Sequence, residues 1–559
     1  MIAGSAGLGL SFPIGLAITI LLTIVAFSYS QTIHGYPSGG GSYIVARENL
    51  GTLPGLIAAA ALLIDYILTA AVSLTAGVAA IASAFPALWP YQIEVALALL
   101  LVITLANLRG LRETGTIMTV PVYLFLVTYI PMLVYGLVRL SLQGPVAPVS
   151  PPAAVSPLTL VLVLHAFSAG CTAMTGIESI SNGVPAFKPP ESQNASRTLS
   201  IMAFLMGFLF LGSIGLTQYL GVVPVGDETI LSALARSLLG NGPLYILIQV
   251  TTLLILAVAA NTSFSDFPRV TAILAKDGFL PRQLTGLGDR LVFSNGILLL
   301  SAATAFLIIL FGGSAHALVP LFAVGAFLAF TLSQAGMVAH WFRLKGQNWP
   351  FKAGINGLGA LVTGTTLVII AVSKFIQGAW VSIIFIPLLI FLFLQIRSHY
   401  RNVTRQLSLK GLPPSLTPAI IPRVVIPISG VHRGIIEAVN FARGMTSDVT
   451  GVYVELEPGH GEAVRQVWEA WFPDVPLVVL PSPYRSLVGP LLDFLDQLDR
   501  ERHDGHLSAI VLPEFIPAKW WQSVLHNQSA MLIRNALLHR RRTLGYQQVI
   551  IDVPHHLKK

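Results

Sequence analysis

The chain has 559 residues, of which 54% are hydrophobic and 10% charged, with a mean hydropathy of +0.74. Soluble domains carry roughly 25% charged residues, so a wholly soluble protein is excluded, as is a disordered one. One cysteine, Cys171, can close no intrachain disulfide and cannot build a cysteine zinc site. The formal charge of +8 is spread almost evenly, with 16 Lys and Arg against 11 Asp and Glu before residue 400 and 17 against 14 after it. Charge density changes there instead, which divides the chain into an apolar region (1–400), a linker (401–422) and a soluble region (423–559).

A membrane span needs about 20 mostly apolar residues. Eleven windows qualify, near 13–30, 54–84, 92–110, 117–140, 157–184, 199–223, 243–264, 295–313, 315–341, 353–373 and 378–396. Alternate connections hold Arg47, Arg109, Arg112, Lys188, Arg197, Arg269, Lys276, Arg282, Arg290, Arg343, Lys345 and Lys352; the intervening ones hold Arg139, Arg236 and Lys374. Twelve basic residues against three orient the chain by the positive-inside rule, with the soluble region in the cytoplasm and Met1 outside.

Along the first long span Asp65, Thr69 and Ser73 recur at i, i+4 and i+8, stacking three oxygens on one helix face. In the fifth window, HAFSAGCTAMTGIESISN breaks an apolar helix with Gly170, Thr172, Thr175, Gly176, Glu178, Ser179 and Asn182. Carboxylates at membrane depth mark an ion or proton pathway by default; the competing explanation is a structural ion pair for Asp65 and an interfacial place for Glu178. A broken helix beside a central acid is the construction of many midplane transporter sites. With no Walker-type loop and no HExxH or GxSxG motif in the membrane region, a secondary transporter is expected and not an enzyme.

The segments PSGGGSYIVARENLG (37–51), TGIESISNGVPAFKPPESQNASRT (175–198), ANTSFSDFPRVTAILAKDGFLPR (260–282) and FAVGAFLAFTLSQAGMVAHW (322–341) resemble the amino acid–polyamine–organocation (APC) permease superfamily, and within it the KimA-type potassium uptake permeases. The resemblance covers nearly the whole chain. It implies two inverted five-helix repeats, a bacterial inner-membrane location and proton-coupled potassium uptake, with an amino acid permease of the same superfamily as the alternative. It also implies a first helix that would precede Pro13, so that residues 1–12 resemble only the exit of that helix. By position, the resemblance assigns cation oxygens to Thr69, Ser73 and Thr175, and charge or the coupled proton to Asp65 and Glu178. Phe322 stands where a close relative would have a tyrosine, and supplies no oxygen. Asp266 and Arg269 read as capping or pairing groups at a helix end, Gly39 to Gly41 as a tight surface turn, and His165 and Cys171 as packing residues.

In the soluble region, RVVIPIS, TGVYVEL, VPLVVLPS, SAIVLPEF and QVIIDVP read as buried strands. Interleaved with the helix-like GIIEAVNFARGM, VGPLLDFLDQLDRER and 520–542, they predict a parallel α/β sheet. The order resembles universal stress proteins, but PEFIPAKWWQSVLHNQSA has no glycine where their nucleotide loop lies. Trp520, Trp521, His526, Asn527 and Gln528 are candidates for a regulatory pocket or a dimer contact, and LHRRRT (538–543) for a solvated face. No cofactor is expected beyond the transported ions. The resemblance makes cyclic di-AMP a candidate regulator and a homodimer the expected assembly, with the lipid bilayer as partner and no nucleic acid polymer.

Overall fold

The computed structural model describes residues 4–37, 39, 41–110, 115–145, 157–224, 227–286, 293–408, 422–502, 508–516, 529–544 and 548–556. It forms two compact units, Met1–Ser408 and Leu409–Lys559. The first is helical: α1 (Gly4–Gly9), α2 (Ser11–Gly35), α3 (Ser42–Leu50), α4 (Thr52–Ala84), α5 (Gln92–Leu108), α6 (Gly115–Gln143), α7 (Leu160–Gly170), α8 (Ile177–Asn182), α9 (Glu191–Tyr219), α10 (Ile230–Leu239), α11 (Pro243–Lys276), α12 (Ser294–Leu310), α13 (Ala315–Leu344), α14 (Trp349–Ser373) and α15 (Trp380–Gln406).

Ten helices among the described residues are long and apolar enough to cross a membrane, one fewer than the eleven windows. The difference is α12, whose 17 residues give about 25 Å against a hydrocarbon core of about 30 Å. The window 157–184 is not one helix: α7 and α8 are separated by a 3₁₀ turn, Cys171–Met174. The amphipathic α10 and the short α3 lie between windows, too small for a hydropathy scan to register.

The centre of the bundle is α4. Its run Ala58 to Ala61 is fully buried, because alanine lets neighbouring backbones approach without a long side chain between them. At Gly325 of α13 an added Cβ would meet the Ala61 carbonyl oxygen at 2.8 Å and Asp65 Cβ at 3.6 Å. Leu56, Leu62, Phe264, Phe267, Leu300, Leu321 and Phe322 fill the space where α4, α11, α12 and α13 meet.

The second unit is a five-stranded parallel sheet in the order β3-β2-β1-β4-β5, made of β1 (Val424–Ile428), β2 (Val449–Glu455), β3 (Leu477–Pro481), β4 (Ala509–Ile516) and β5 (Ile550–His556). Helices α16 (Arg433–Met445), α17 (His460–Trp471), α18 (Val488–Arg502) and α19 (Ser529–Leu544) connect or flank the strands. All five strands coincide with the apolar runs. The sequence reading passes over α17, because HGEAVRQVWEAW mixes six apolar residues with five polar ones and buries only Gly461 and Trp468. Nor is LHRRRT a purely solvated face: Arg540 is buried and paired with Asp496, and Arg541 donates to the Gln548 carbonyl.

Trp468 is fully buried, donates from Nε1 to the Val475 carbonyl at 2.7 Å and lies 4.7 Å from the Phe472 ring. Gly451 of β2 leaves room for it, since a Cβ there would come within 2.7 Å of the indole. Truncating a buried Trp costs about 3–5 kcal/mol. Trp468→Ala in the full-length protein is therefore expected to lose amide-exchange protection across β2 and α17 while the membrane helices keep theirs. Unchanged protection would contradict this packing.

Candidate functional site

The chain leaves helical geometry between α7 and α8. Past the 3₁₀ turn, Thr175 is extended (φ −69°, ψ 154°) and Gly176 is left-handed (φ 98°), which glycine adopts without a Cβ penalty. The Gly176 N–H donates to Glu178 Oε1 at 3.2 Å and to Oε2 at 3.1 Å, so the carboxylate folds back over the first turn of α8. An acid there suits the positive end of the helix dipole.

Asp65 faces this break from α4, 1% exposed, and close enough that it and Glu178 feel each other's charge. Its Oδ1 has no hydrogen-bond partner, and no ion pair among the described residues includes Asp65 or Glu178. Thr69 and Ser73 follow about 6 and 12 Å further along α4. Buried Ser and Thr in a helix ordinarily bond the carbonyl four residues back. Thr75 does so, to Ala71 at 2.9 Å, whereas no hydrogen bond of Thr69 or Ser73 joins them to the described residues. Thr175 Oγ1 does bond the Thr172 carbonyl, at 3.2 Å.

Three further groups belong to the neighbourhood. Tyr29 of α2 is 1% exposed, shares a 3.3 Å hydrogen bond with Ser42 Oγ and lies in the field of Glu178 and Asp65. Tyr66 accepts from Asn182 Nδ2 at 2.8 Å. Asp266, buried inside α11, acts on both Glu178 and Tyr66. Its reading as a helix-end group is corrected, because α11 runs ten residues past it to Lys276. Arg269 does pair at a helix end, donating to the Asn182 carbonyl at the close of α8 at 3.2 Å. Sequence offered little sign of Tyr29 beyond the two serines flanking it.

A cavity of about 420 Å³ leads toward this group from one face, lined by Gly39, Gly41, Tyr43, Leu62, Asn182 and Arg269 among others. Its lining includes Leu62, one turn of α4 before Tyr66, and Asn182, which donates to Tyr66. Gly39 is left-handed (φ 87°), consistent with a tight turn before α3. At the rim, Tyr43 donates to Asp277 at 2.6 Å and Arg47 pairs with the same carboxylate; burial and that hydrogen bond push the Tyr43 phenol above its ordinary range. The larger cavity, about 660 Å³ between α2 and α9, is lined mostly by apolar residues; its Thr19, Thr23 and Ser200 hydroxyls bond their own helices, and Ser30 bonds Ser196. Phe322 is packed among the apolar residues of α4 and α13, one turn before Gly325.

In the soluble unit, His432 occupies the N-cap position of α16 and its ring lies 4.7 Å from that of Phe515, tilted 53° to it, where β1 and β4 diverge into opposite sheet halves. Burial, then the neighbouring His555, pushes its pKa down. The cleft there is about 40 Å³, room for roughly one water. Trp520, Trp521, His526, Asn527 and Gln528 lie outside the described residues.

A bundle of apolar helices around a broken one, with acids at the break, defines a permease of the APC type. Residues 1–393 match the amino acid permease family, and the chain belongs to it. Residues 421–554 match the KimA potassium transporter C-terminal domain. Over 553 residues, 98% of this chain and 90% of the relative, the sequence is 43% identical to the potassium transporter KimA of Bacillus subtilis (strain 168). The protein is thus a multi-pass membrane transporter and not an enzyme.

Proposed function

We propose that the chain imports potassium across the cytoplasmic membrane together with protons, its soluble domain lying in the cytoplasm. The observation that carries this reading is the pair of buried acids, Asp65 and Glu178, which no cation of the described residues neutralises. A small cation at the break would supply the missing charge, with Thr69 and Ser73 offering oxygens not already engaged. The permease relative at 43% identity is named for potassium, which supports the same substrate. The twelve-to-three distribution of basic residues supports the orientation. We take the soluble domain as regulatory, with cyclic di-AMP as a candidate ligand and a homodimer as the assembly.

In liposomes holding the purified full chain, rubidium uptake is expected to rise with an inward proton gradient and with an inside-negative potential, which is worth about 2.3 kcal/mol per charge per 100 mV. Alanine or glutamate uptake without rubidium flux would instead establish the amino acid permease alternative.

A further inference from the structure

Lys374 is 1% exposed, although Phe375 and Ile376 beside it are 50% and 94% exposed. It follows α14, which ends against the C-terminal half of α7: Ser373 Oγ donates to Ser168 Oγ at 3.1 Å, and His165 Nδ1 meets the Ser373 carbonyl at 3.3 Å. Ser168 lies eight residues into α7, about 12 Å along its axis, so Lys374 sits within the span and not at its surface. The chain then makes a π turn, Phe375–Ala379, in which Gly378 is left-handed (φ 130°) and seats against Leu321 of α13. Ser382 Oγ fastens the far side to the Leu321 carbonyl at 2.7 Å. This turn therefore joins the broken helix to α13, on the face opposite the 420 Å³ cavity.

The titratable group that Lys374 senses is Cys171, first residue of the 3₁₀ break. No ion pair among the described residues includes Lys374. The sequence places only Glu94, Asp227 and Glu228 on this face, and Glu228 is paired with Arg236. A buried charge without a counter-ion at membrane depth is functional by default. The broken end of α7 is also the negative end of a half-helix, where an approaching cation is attracted.

We propose that Lys374 is a gate charge carried on a movable turn. Its ammonium stands beside the helix break where a cation would enter from this face, and bars it from Asp65 and Glu178 until the 373–379 turn swings away. This rests on the cation reading of the site.

The test uses the full chain in oriented proteoliposomes, with Lys374→Met and Lys374→Arg. Removing the charge is expected to lower the rubidium KM from this face about tenfold, to open a rubidium leak without a proton gradient, and to leave the melting temperature equal or higher. The arginine variant should keep the wild-type KM and stay tight. Wild-type rubidium flux combined with a methionine variant of unchanged KM and no leak overturns the gate alone. Equal damage to folding by both substitutions overturns it as well, since a charge-keeping variant should be spared. A wild-type chain that carries no rubidium fails the cation reading itself.

Discussion

Asp65→Asn and Glu178→Gln are each expected to abolish rubidium uptake while leaving the melting temperature in detergent unchanged or raised. An uncompensated charge at membrane depth costs about 2.5–3.5 kcal/mol on insertion scales, so neutralising it should relieve the fold. Had either acid been half of a buried ion pair, the same change would cost about 3–5 kcal/mol. The structure holds no such pair for them among the described residues. Glu178 has one structural duty, accepting from the Gly176 N–H, and the glutamine carbonyl can still perform it. Lost transport in a well-folded Gln variant therefore isolates the charge. A lowered melting temperature with normal transport in the surviving protein would show that the carboxylates are there for packing.

Gly325→Val should be the most damaging apolar substitution near the site. Its Cβ alone would stand 2.8 Å from the Ala61 carbonyl oxygen, a backbone atom that cannot rotate away, with Asp65 Cβ 3.6 Å distant. Overpacking of this kind typically costs about 1–3 kcal/mol, and here it would lever α13 from α4 at Asp65. Uptake is expected to fall severalfold and the melting temperature with it. Gly354→Val, where nothing lies within 4 Å, is the matched control. Equal behaviour of the two variants would show that the α4–α13 contact is looser than drawn.

Much of this was legible in the chain because a bilayer imposes a length. Runs of about 20 apolar residues stand out, and α12, at 17 residues, is one short turn below that length because its apolar window extends past its helix. The stripe of Asp65, Thr69 and Ser73 and the glycine-interrupted stretch around Glu178 were visible because polar groups in an apolar background have few innocent explanations. Sequence could not show that these two segments face each other. Tyr29 escaped for the same reason, and Asp266 was read as a helix-end group: each gains its meaning only from neighbours on other helices. Lys374 was counted as an ordinary loop cation, since nothing local says that α14 stops beside the C-terminal half of α7. In the soluble unit the strands were plain from their buried runs, whereas α17 shows almost nothing but Trp468 to the core.

Equilibrium binding of radioactive rubidium to the purified full chain tests the central claim most directly, because it separates the site from the energetics of coupling. Saturable binding that potassium displaces, that alanine does not, and that Glu178→Gln abolishes is the predicted result. Binding that survives Glu178→Gln and Asp65→Asn together, or that an amino acid displaces, would contradict a cation site at the helix break.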